Sequence, residues 1–560
     1  MTEESADVLV VGAGLGGLSA SMFLAQHGVR VLTVERHPGT SIHPRAAGQT
    51  PRTMELYRFA GIDGEVRGVS KRASEGLRIT VASSLNGQVL HRIVEDVSEI
   101  DLSAAVGVPW GMAGQDVVEP ILLARAREFG AEVRFSTELV SFEQDEDGIT
   151  AVLGNGVRGH APSGGAEAAS PQGTGKVRAK YLIGADGGRG RIRERLGIAT
   201  EGVGSIGHSI GVVFDADLGD RVQPDVTDLF YLQHAEFTGA LVNTDIPNRF
   251  VFSTDFHPES GEKAEDFTPE RLTGLIRLAT GLPGLKPDIR WSGTWETAAR
   301  IATTFRSGRV FLVGDAAKVT PPTGGMGGNT AVGDGHDIAW KLAAVLRGEA
   351  GPGLLDSYQA ERKPFAEMVV ATSLHNAKHR LKPDLDLAGV PEPVDQLELA
   401  LGYRCRSAAV LPDDDDPRPV ENPNAPTGRA GFRAPHVPIT VDGTSMSTVD
   451  ILGRGWVLIA TGEGWRQAAE KVTAETGIDA TCRELGVDFA DPQGVFLARY
   501  GLRTGGATLV RPDGVVAWRT VRGVEAPHAL GVQPPEPHLG AGLQTPSGTL
   551  RKVLTQVLAR

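Results

Sequence analysis

A glycine-rich turn close to the N-terminus constrains the fold of this 560-residue chain more than any other feature. The turn, residues 12–17 (GAGLGG), follows a short apolar stretch, Asp7–Val11, that is typical of a buried strand. The residues after it, Leu15–His27, have the pattern of a helix, and Val29–Glu35 has the pattern of a second buried strand. The order of strand, turn, helix and strand predicts a β-α-β unit of the α/β class.

The glycines of the turn and the acidic residue after the second strand suit the binding of a dinucleotide. Gly12 permits the tight turn, Gly14 lets the backbone approach a pyrophosphate, and Gly17 allows close contact between helix and strand. The N-terminus of the helix offers free N–H groups and the positive end of its dipole to the phosphates. Glu35 is placed to accept hydrogen bonds from ribose hydroxyls. Taken alone, the turn fits NAD as well as FAD.

Two later motifs favour FAD. The sequence Gly184-Ala185-Asp186-Gly187 follows a predicted strand, and Gly314-Asp315-Ala316-Ala317 follows another and leads into the glycine-rich segment 321–329. A carboxylate at a strand end suits the hydroxyls of a ribose or ribityl chain, and a glycine run lets backbone N–H groups reach a flavin ring or a pyrophosphate. Three such motifs in this order indicate that FAD is the resident cofactor.

Composition and charge exclude several other classes of protein. The chain has 56 basic and 69 acidic residues, a net charge of −13, which argues against a nucleic-acid or anionic-membrane partner. Its only cysteines, Cys405 and Cys482, form no CxxC or Cys/His pattern, so neither a disulfide framework nor a zinc site is expected. No apolar run reaches the roughly 18 residues of a membrane span, and the acidic N-terminus is unlike a signal peptide. We expect a cytoplasmic protein without a metal.

Further segments outline the rest of the chain. Alternating stretches between residues 206 and 300 predict an antiparallel sheet that forms one wall of a substrate site. Residues 154–178 read as a loop insertion, and 411–438 as an exposed linker in which the aspartates 413–416 form a solvated loop. From about residue 430 a small α/β domain is expected, and residues 525–548 read as a loose segment. The predicted strands of this domain are Thr448–Thr461 and Ala507–Thr520, the second with a turn at Asp513-Gly514, and its predicted helix is Trp465–Thr476.

With these motifs in view, the sequence resembles the FAD-dependent aromatic hydroxylases, the group A single-component flavoprotein monooxygenases. It is most similar to the aromatic polyketide hydroxylases of anthracycline and angucycline pathways, in residues 43–46 (HPRA), 209–218 (SIGVVFDADL) and 314–329. Residues 506–519 resemble the thioredoxin-like domain of the longer members. The resemblance implies a Rossmann-type FAD-binding domain with an inserted antiparallel-sheet substrate domain and a C-terminal thioredoxin-like domain.

The resemblance also implies domain bounds and a reaction. The bounds are 1–80, 101–190 and 300–380 for the FAD-binding domain, 81–100 and 191–299 for the substrate domain, 381–429 for a linker and 430–560 for the thioredoxin-like domain. NADPH would reduce FAD, oxygen would add at flavin C4a, and the hydroperoxide would pass OH to an electron-rich aromatic substrate in antibiotic biosynthesis. Because no second GxGxxG between a buried strand and a helix marks a separate NADPH domain, NADPH is expected as a transient visitor. A homodimer is the expected assembly.

Site residues follow from the resemblance by position. The ADP half of FAD would contact Gly12, Gly14, Leu15, Gly16, Gly17, Glu35 and Arg36. Gln115 matches a flavin-contacting glutamine, and Arg45 matches an arginine near the pyrophosphate and the mobile ring. Asp186 would serve both FAD and NADPH, and Asp315 would bind the ribityl chain. The isoalloxazine would lie near Pro322, Gly327, Gly328 and Asn329.

Three residues are candidates for catalysis. These are Arg45, Tyr231, whose phenol would orient a substrate hydroxyl, and Arg380, which would favour a phenolate and so raise the nucleophilicity of the ring. The alternatives are a surface ion pair for Arg45 and an exposed helix-end arginine for Arg380. Other aromatic candidates for the wall of the pocket are Phe230, Phe237 and Phe252, although aromatic residues on strands more often belong to the core.

Two positions depart from the family pattern, and several alternative functions stay open. Gly190 replaces a frequent serine, and Lys318 replaces a frequent histidine. The alternatives are Baeyer–Villiger oxygenation, halogenation, dehydrogenation, and a non-enzymatic module that keeps the fold without flavin. Residues 291–295 (WSGTW) are not the WxWxIP motif of halogenases, and the retained Gly314-Asp315 (GD) motif argues against the non-enzymatic module. Since the C-terminal domain has no cysteine pair, it is expected to be structural.

Overall fold

A computed structural model describes residues 4–43, 46–69, 76–94, 102–156, 173–223, 225–522 and 545–560. The elements of the N-terminal third are β1 (Glu4–Val11), α1 (Leu15–Gln26), β2 (Val31–Val34), α2 (Pro51–Phe59), α3 (Asp63–Val69), β3 (Leu77–Ala82), β4 (Val89–Val94), α4 (Gln115–Glu128), β5 (Glu132–Arg134), β6 (Thr137–Gln144), β7 (Ile149–Asn155) and β8 (Gly173–Gly184). The predicted β-α-β unit is confirmed, and its second strand is shorter than predicted. The predicted insertion lies between β7 and β8, and its central part falls outside the described residues.

The middle of the chain contains the long strands of a second sheet and two long helices. Its elements are α5 (Arg191–Arg195), β9 (Thr200–Asp215), β10 (Thr227–Gln233), β11 (Thr238–Asn243), β12 (Arg249–Phe256), α6 (Pro269–Thr280), β13 (Asp288–Ala302), β14 (Arg306–Ser307), β15 (Val310–Leu312), β16 (Lys318–Val319), α7 (Met326–Leu346) and α8 (Asp356–Arg380). The antiparallel sheet predicted between residues 206 and 300 is therefore present.

The C-terminal part is a smaller α/β unit. Its elements are α9 (Gln396–Leu401), β17 (Pro438–Val441), β18 (Thr444–Ser447), β19 (Trp456–Ala460), α10 (Trp465–Thr476), β20 (Ala480–Glu484), α11 (Phe496–Arg499), β21 (Ala507–Val510), β22 (Val516–Thr520) and α12 (Pro546–Val557). The predicted helix and the turn at residues 513–514 are confirmed. The strand predicted at Thr448–Thr461 is wrong in its first half, where Thr448–Ile451 form a 3₁₀ turn.

The first sheet has the strand order β14-β15-β8-β1-β2-β5, and β6 and β7 extend it from β8. From β15 to β5 its strands run parallel, so their carboxyl ends meet at one edge. Helices α1 and α7 pack against each other beside it. This edge carries the three motifs that the sequence singled out.

The second sheet has the order β16-β13-β9-β12-β11-β10-β3-β4. Its pairs are antiparallel except β10 with β3. One face packs under α6, where Phe214, Phe252 and Ile276 form part of a fully buried core. The opposite face is left to cover the cavity described below.

The third sheet, of order β20-β19-β21-β22, forms the C-terminal unit with α10 and α12. The tryptophan rings of Trp340 on α7 and Trp456 on β19 meet edge to face, with centroids 6.0 Å apart. The unit therefore packs directly on the first domain. Cys482 is buried on β20, and Cys405 lies far from it in sequence, so the strands of this unit present no dithiol.

The aspartate run at residues 413–416 differs from the predicted solvated loop. Asp414 forms ion pairs with Arg404 at 2.9 Å and with Arg429 at 3.1 Å, and Asp413 forms one with Arg519. Arg404 and Arg429 lie 10 and 15 residues from Asp414, and Arg519 lies 106 residues from Asp413, so composition alone does not show these pairings. Within the described ranges, no helix is both long and apolar enough to cross a membrane.

Candidate active site

The three sequence motifs meet because the strands before them lie side by side. In the parallel register Val11 of β1 is opposite Gly184 of β8, and Gly184 is opposite Leu312 of β15. On its other side Val11 is opposite Val34 of β2, directly before Glu35. The glycine turn, both acidic motifs and Glu35 therefore leave the same edge of the sheet, where ligands bind in open α/β sheets.

The glycine turn has no room for side chains at two of its positions. Gly12 has a φ of +106°, and a Cβ there would lie 2.2 Å from the carbonyl oxygen of Ala185. A Cβ on Gly17 would lie 1.9 Å from the carbonyl oxygen of Gly12. By contrast, a Cβ on Gly14 would meet only a carboxylate oxygen of Glu119, at 3.8 Å. Protein backbone therefore fills the space beside Gly12 and Gly17, whereas the space beside Gly14 is open. Helix α1 begins directly after Gly14 without a side-chain cap.

Glu35 holds the turn from the neighbouring strand. Its Oε2 accepts a hydrogen bond from the N–H of Ala13 at 2.8 Å, and its Oε1 accepts one from the N–H of His37 at 2.9 Å. Arg36 is exposed next to it, with its Nε 3.3 Å from Nε2 of His37. Glu35 is therefore fixed beside the turn, and the contacts of Glu35 and Arg36 with the ADP half stay predictions.

Asp186 turns away from the edge of the sheet toward α5. Its Oδ2 accepts a hydrogen bond from the N–H of Ile192 at 3.0 Å, and burial raises its pKa. A Cβ on Gly190 would lie 2.2 Å from the Asp186 carboxyl group, so a serine at this position requires a different carboxylate placement. The departure from the family pattern at Gly190 thus has a local steric counterpart, and the role of Asp186 toward cofactors stays a prediction.

The turn that begins at Gly314-Asp315, which we call the GD turn, is anchored by a buried ion-pair cluster. The carboxylate of Asp334 on α7 accepts a hydrogen bond from the N–H of Gly314 at 3.1 Å and pairs with Lys318 and with Arg362, the latter at 2.7 Å. Although burial opposes it, these two cations hold the pKa of Asp334 below its usual value. Lys318, at the family's histidine position, therefore neutralises the anchor of the turn that presents Asp315.

The glycine-rich segment after the GD turn approaches the first glycine turn closely. A Cβ on Gly328 would lie 2.9 Å from a methyl carbon of Leu15 and 3.1 Å from the Cβ of Ala46. Asn329 ties this segment to α2, because its Oδ1 accepts hydrogen bonds from the N–H of Thr50 at 2.8 Å and the hydroxyl of Thr53 at 2.6 Å. Backbone rather than side chains therefore forms this wall.

Gln115 begins α4 and has a partner that sequence reasoning missed. Its Nε2 donates to Oε1 of Glu119 at 2.6 Å, and Oε2 of Glu119 accepts from the N–H of Ser41 at 2.7 Å. Glu119 is 1% exposed, and burial raises its pKa. The spacing of four residues from Gln115 on a helix was the available signal, because such residues share a face.

A single cavity of about 880 Å³ joins the glycine motifs to the second sheet. The predicted site residues that line it are Gly14, Leu15, Gly16, Gln115, Tyr231, Asp315, Pro322, Gly327, Gly328, Asn329 and Arg380. Of the other predicted residues, Gly12, Gly17, Glu35, Arg36 and Asp186 lie outside this lining. Arg45 falls outside the described residues, next to the cavity-lining Ala46.

Tyr231 and Arg380 meet at the end of the cavity formed by the second sheet. Tyr231 on β10 is 5% exposed, and Arg380, the last residue of α8, is 7% exposed. The guanidinium carbon lies 5.5 Å from the centroid of the tyrosine ring. Within the described part of the chain no carboxylate forms an ion pair with Arg380. The alternative that Arg380 is an exposed helix-end residue is therefore wrong.

The other aromatic candidates lie on the opposite face of the sheet. Phe237 and Phe252 belong to the core under α6, and Phe230 packs against that core. Successive residues of a strand point to opposite faces, so Phe230 cannot share the cavity with Tyr231. Their prediction as substrate contacts was wrong, since the sequence does not tell which face of a strand packs under a helix.

Three polar atoms along the cavity are buried without a partner among the described residues. They are Nε1 of Trp110 and the hydroxyls of Thr227 and Thr320. An unpaired buried polar group costs free energy unless a ligand or water satisfies it. The cavity thus carries unused hydrogen-bonding groups as well as an unpaired cation.

These observations are compatible with bound FAD. The close approach at Gly328 leaves backbone facing the cavity, and the N-terminus of α1 opens onto it at Gly14. The cavity volume lies in the upper part of the roughly 300–1,000 Å³ typical of small-molecule sites. The residues present at the sheet edge therefore fit a flavin dinucleotide.

Family models match both halves of the chain. One described as the FAD binding domain matches residues 5–373, and one described as the C-terminal domain of aromatic-ring hydroxylases matches residues 427–532. The two models together cover most of the described residues, including the glycine motifs and the C-terminal sheet, whereas Arg380 and the cavity-lining residues 395–397 lie between them. The predicted fold class is confirmed by this agreement and by the structural comparison below.

Individual relatives are similar over nearly their whole length. Aklavinone 12-hydroxylase RdmE from Streptomyces purpurascens is 49% identical over 530 residues, which cover 93% of this chain and 96% of that protein. The tetracenomycin A2 monooxygenase-dioxygenase from Streptomyces glaucescens is 39% identical, with coverages of 93% and 94%. A crystal structure of aklavinone-11 hydroxylase in a ternary complex with FAD and aklavinone aligns with a TM-score of 0.88 and 46% identity over 100% of both chains.

Proposed function

Because the chain belongs to the FAD-dependent aromatic hydroxylases, we propose that its substrate is a fused-ring aromatic polyketide bound between the glycine-rich segment 321–329 and the second sheet. The observation that carries this proposal is the buried, unpaired guanidinium of Arg380 beside the ring of Tyr231 in a cavity continuous with the glycine motifs. The names of the relatives, aklavinone 12-hydroxylase and aklavinone-11 hydroxylase, support a tetracyclic polyketide of that kind.

Arg380 acts on the substrate's phenol in this proposal. A phenol that binds next to a guanidinium loses its proton more easily, because the cation stabilises the phenolate. The phenolate donates electron density to its ring and makes the carbon beside it a better nucleophile. Since Arg380 has no carboxylate partner among the described residues, its charge is available to the substrate. Tyr231 orients the same oxygen through its hydroxyl.

When bound, FAD reduced by NADPH as a visiting co-substrate would activate O₂, so that one oxygen atom passes to the ring and the other leaves as water. The chain's own contribution is position and shielding. Apolar side chains line the substrate end of the cavity, namely Leu77, Ile79, Val94, Leu102, Met112, Leu229, Val242 and Leu397. They keep water from the reacting atoms, which suppresses unproductive loss of the oxidant. Thr227 and Trp110 offer hydrogen bonds to polar substituents of the substrate.

The test is turnover with identified products. The purified holoenzyme is incubated with NADPH and a panel of anthracyclinones, angucyclinones and monocyclic phenols, and each product is identified by mass and NMR after reaction under ¹⁸O₂. We expect one labelled oxygen on an aromatic carbon of a tetracyclic substrate, with NADPH consumption matched to product. NADPH consumption that yields only peroxide with every fused-ring substrate would contradict the proposal. A ring-expanded lactone would instead establish Baeyer–Villiger oxygenation.

The same preparation addresses the finer predictions. The ratio of turnover with NADPH to turnover with NADH determines the preferred reductant, and light scattering of the holoenzyme determines whether it is a homodimer. The cytoplasm, with its supply of reduced nicotinamide, is the compartment that we propose for this reaction. A monomer that turns over normally would remove the homodimer from the proposal and leave the chemistry unchanged.

A further inference from the structure

The strands of the C-terminal domain present no dithiol, yet this domain contacts a helix whose N-terminus lies beside the glycine-rich segment 321–329. That helix is α2, and its residues Arg52, Glu55, Arg58 and Phe59 face the C-terminal domain. Its other end contacts Asn329 through Thr50 and Thr53. We propose that the C-terminal domain positions the flavin through α2, so that ion pairs made by this domain set the affinity for FAD.

The contact between the C-terminal domain and α2, which we name the grip, centres on the buried ion pair of Glu55 and Arg433. Glu55 is 1% exposed and receives both arms of the Arg433 guanidinium, with Nε of Arg433 at 2.8 Å from its Oε2. Arg52 contacts the same carboxylate at 3.2 Å and donates to the backbone carbonyl of Asp513. A bidentate arginine–carboxylate pair fixes both partners in distance and orientation. The helix is thereby held in one register against the C-terminal domain.

Two further contacts extend the grip along the helix. Arg58 pairs with Asp450 at 3.0 Å. A Cβ on Gly453 would lie 2.1 Å from the ring of Phe59, so this glycine admits the ring against the domain. The contacts at positions 52, 55, 58 and 59 recur at helical spacing and form one face of α2. The C-terminal domain therefore contacts α2 along most of its length.

At its N-terminal end α2 joins the cavity wall. Asn329 accepts from Thr50 and Thr53 and donates through Nδ2 to the carbonyl oxygens of Gly48 at 3.1 Å and Gly325 at 2.8 Å. We name Gly48, Thr50, Thr53 and Asn329 the clasp. Gly48, Thr50 and Asn329 line the cavity. The clasp joins the loop before α2, the helix itself and the glycine-rich segment in one hydrogen-bonded unit.

A second cluster holds the same domain, and among the described residues it contacts α2 where Arg52 donates to the backbone carbonyl of Asp513. Arg511 pairs with Glu361 at 2.6 Å, and Lys341 pairs with Glu361 at 3.0 Å and with Asp337 at 2.7 Å. The three close carboxylates Asp337, Glu361 and Asp513 therefore have cations as partners and form an ion-pair network. This network attaches the domain to α7 and α8, so removal of the Glu55–Arg433 pair leaves the domain docked.

The test measures FAD affinity in the full chain. The double variant E55M/R433M removes both charges of the buried pair, and apolar replacement of such a pair is often tolerated. It leaves Arg52, whose side chain is 21% exposed, with the backbone carbonyl of Asp513 as its partner. We expect its Kd for FAD, from quenching of flavin fluorescence at 20 °C, to rise about tenfold. R433K, which keeps the charge but loses the planar fork, is expected to raise it about threefold. If the double variant does not fold, R433K decides the result.

Two comparisons separate positioning from a merely structural role. The matched control D413M/R519M removes an ion pair within the C-terminal half that has no contact with α2, and its Kd is expected to stay within about twofold. T53V removes the hydroxyl of the clasp. Because both act through the clasp, the combined effect of T53V and E55M/R433M is expected to be smaller than the product of the separate effects.

An unchanged Kd in R433K and E55M/R433M, with only a lower Tm, would overturn the proposal. Fully multiplicative effects of the grip and clasp variants would also overturn it, because they would show that the two regions act independently. The inference rests on the family's FAD site and not on the proposed substrate. Since FAD affinity is measured without substrate, a wrong substrate class leaves this result intact.

Discussion

Two buried cations, one under the turn at Gly314-Asp315 and one lining the cavity, differ in their partners. Lys318, under the GD turn, has a side chain that is 1% exposed and pairs with Asp334, which also binds Arg362 and the N–H of Gly314. Arg380, at the substrate end, is 7% exposed and lacks a carboxylate partner among the described residues. A compensated buried charge maintains a structure, whereas an uncompensated one that faces a cavity is available to a ligand.

The largest expected effect follows from removing the compensated cation. Lys318→Met leaves the Asp334 carboxylate with one cation in place of two, and loss of one partner of a buried pair costs about 3–5 kcal/mol in the free energy of unfolding. We expect this loss in chemical denaturation, together with weaker FAD binding because Asp334 holds the GD turn.

Lys363→Met is the matched control for this change. Lys363 also contacts two carboxylates, Glu201 at 2.7 Å and Glu367 at 2.5 Å, but its side chain is 20% exposed. Pairs near the surface contribute about 0–1 kcal/mol. Equal losses of stability in the two variants would refute the distinction between a buried anchor and a solvent-screened pair.

The second effect concerns the uncompensated cation. Arg380→Met is expected to lower kcat/KM for a phenolic substrate about a hundredfold, which corresponds to about 2.7 kcal/mol, while the free energy of unfolding changes little. The loss is expected mainly in kcat, and it should shrink at high pH, where the substrate phenol ionises without help. Steady-state kinetics over pH 6–10 check both points.

Two further variants delimit the role of Arg380. Arg380→Lys retains a cation and should recover part of the activity, although its single ammonium reaches fewer positions. His379→Ala changes an exposed residue on the same helical turn and should leave kcat/KM unaltered. If Arg380→Met unfolds the protein while its activity per folded molecule is preserved, the guanidinium is structural and the comparison with Lys318 fails.

The contrast between these sites also shows what the sequence made predictable. The glycine turn, Glu35 and Asp315 were recognised because their roles depend on backbone conformation and on positions directly after strands, both of which are local. Glu119 and Asp334 were not recognised because their significance comes from partners supplied by other elements. The same limit applied to Asp413 of the aspartate run, which pairs with Arg519 at a distance of 106 residues in the sequence.

The faces of the second sheet show another limit. The alternation along β10 and β12 predicted strands correctly, and it separated each strand into two sets of residues. It did not say which set meets α6 and which meets the cavity, since both contain aromatic side chains. Tyr231 was predicted as a site residue and lines the cavity, whereas Phe230 and Phe252 were predicted with it and belong to the opposite side.

His336 is a third buried basic residue, and unlike Lys318 and Arg380 it is uncharged at neutral pH. Its ring is 2% exposed and lies 4.3 Å from the ring of Phe23 and 6.2 Å from that of Phe59. Burial lowers its pKa to about 3 from the usual 6.5. Between these values the unfolded chain binds a proton that the folded chain does not, so stability falls as pH decreases from 6.5 toward 3.

The measurement is the slope of unfolding free energy against pH. Each pH unit below 6.5 costs about 1.4 kcal/mol per such group, so His336→Leu should reduce the slope between pH 6 and pH 5 by about that amount. His379→Leu, at an exposed position, should not change it. Parallel curves for wild type and His336→Leu would mean that the folded protein accommodates the proton on this ring.

The smallest expected effect concerns an unpaired neutral group. The hydroxyl of Thr227 is buried, lines the cavity and has no hydrogen-bond partner among the described residues. If a substrate oxygen satisfies it, Thr227→Val should raise KM about threefold with kcat unchanged, because the lost hydrogen bond is worth about 0.5–1.5 kcal/mol. Thr254→Val, which removes a hydroxyl that donates to the carbonyl of Thr238 at 3.2 Å, should lower stability and leave KM unchanged. The opposite pattern, a more stable Thr227→Val protein with an unaltered KM, would show that the hydroxyl is an unsatisfied group that no substrate contacts. The distinction drawn between Lys318 and Arg380 would then hold for charged groups and not for neutral ones.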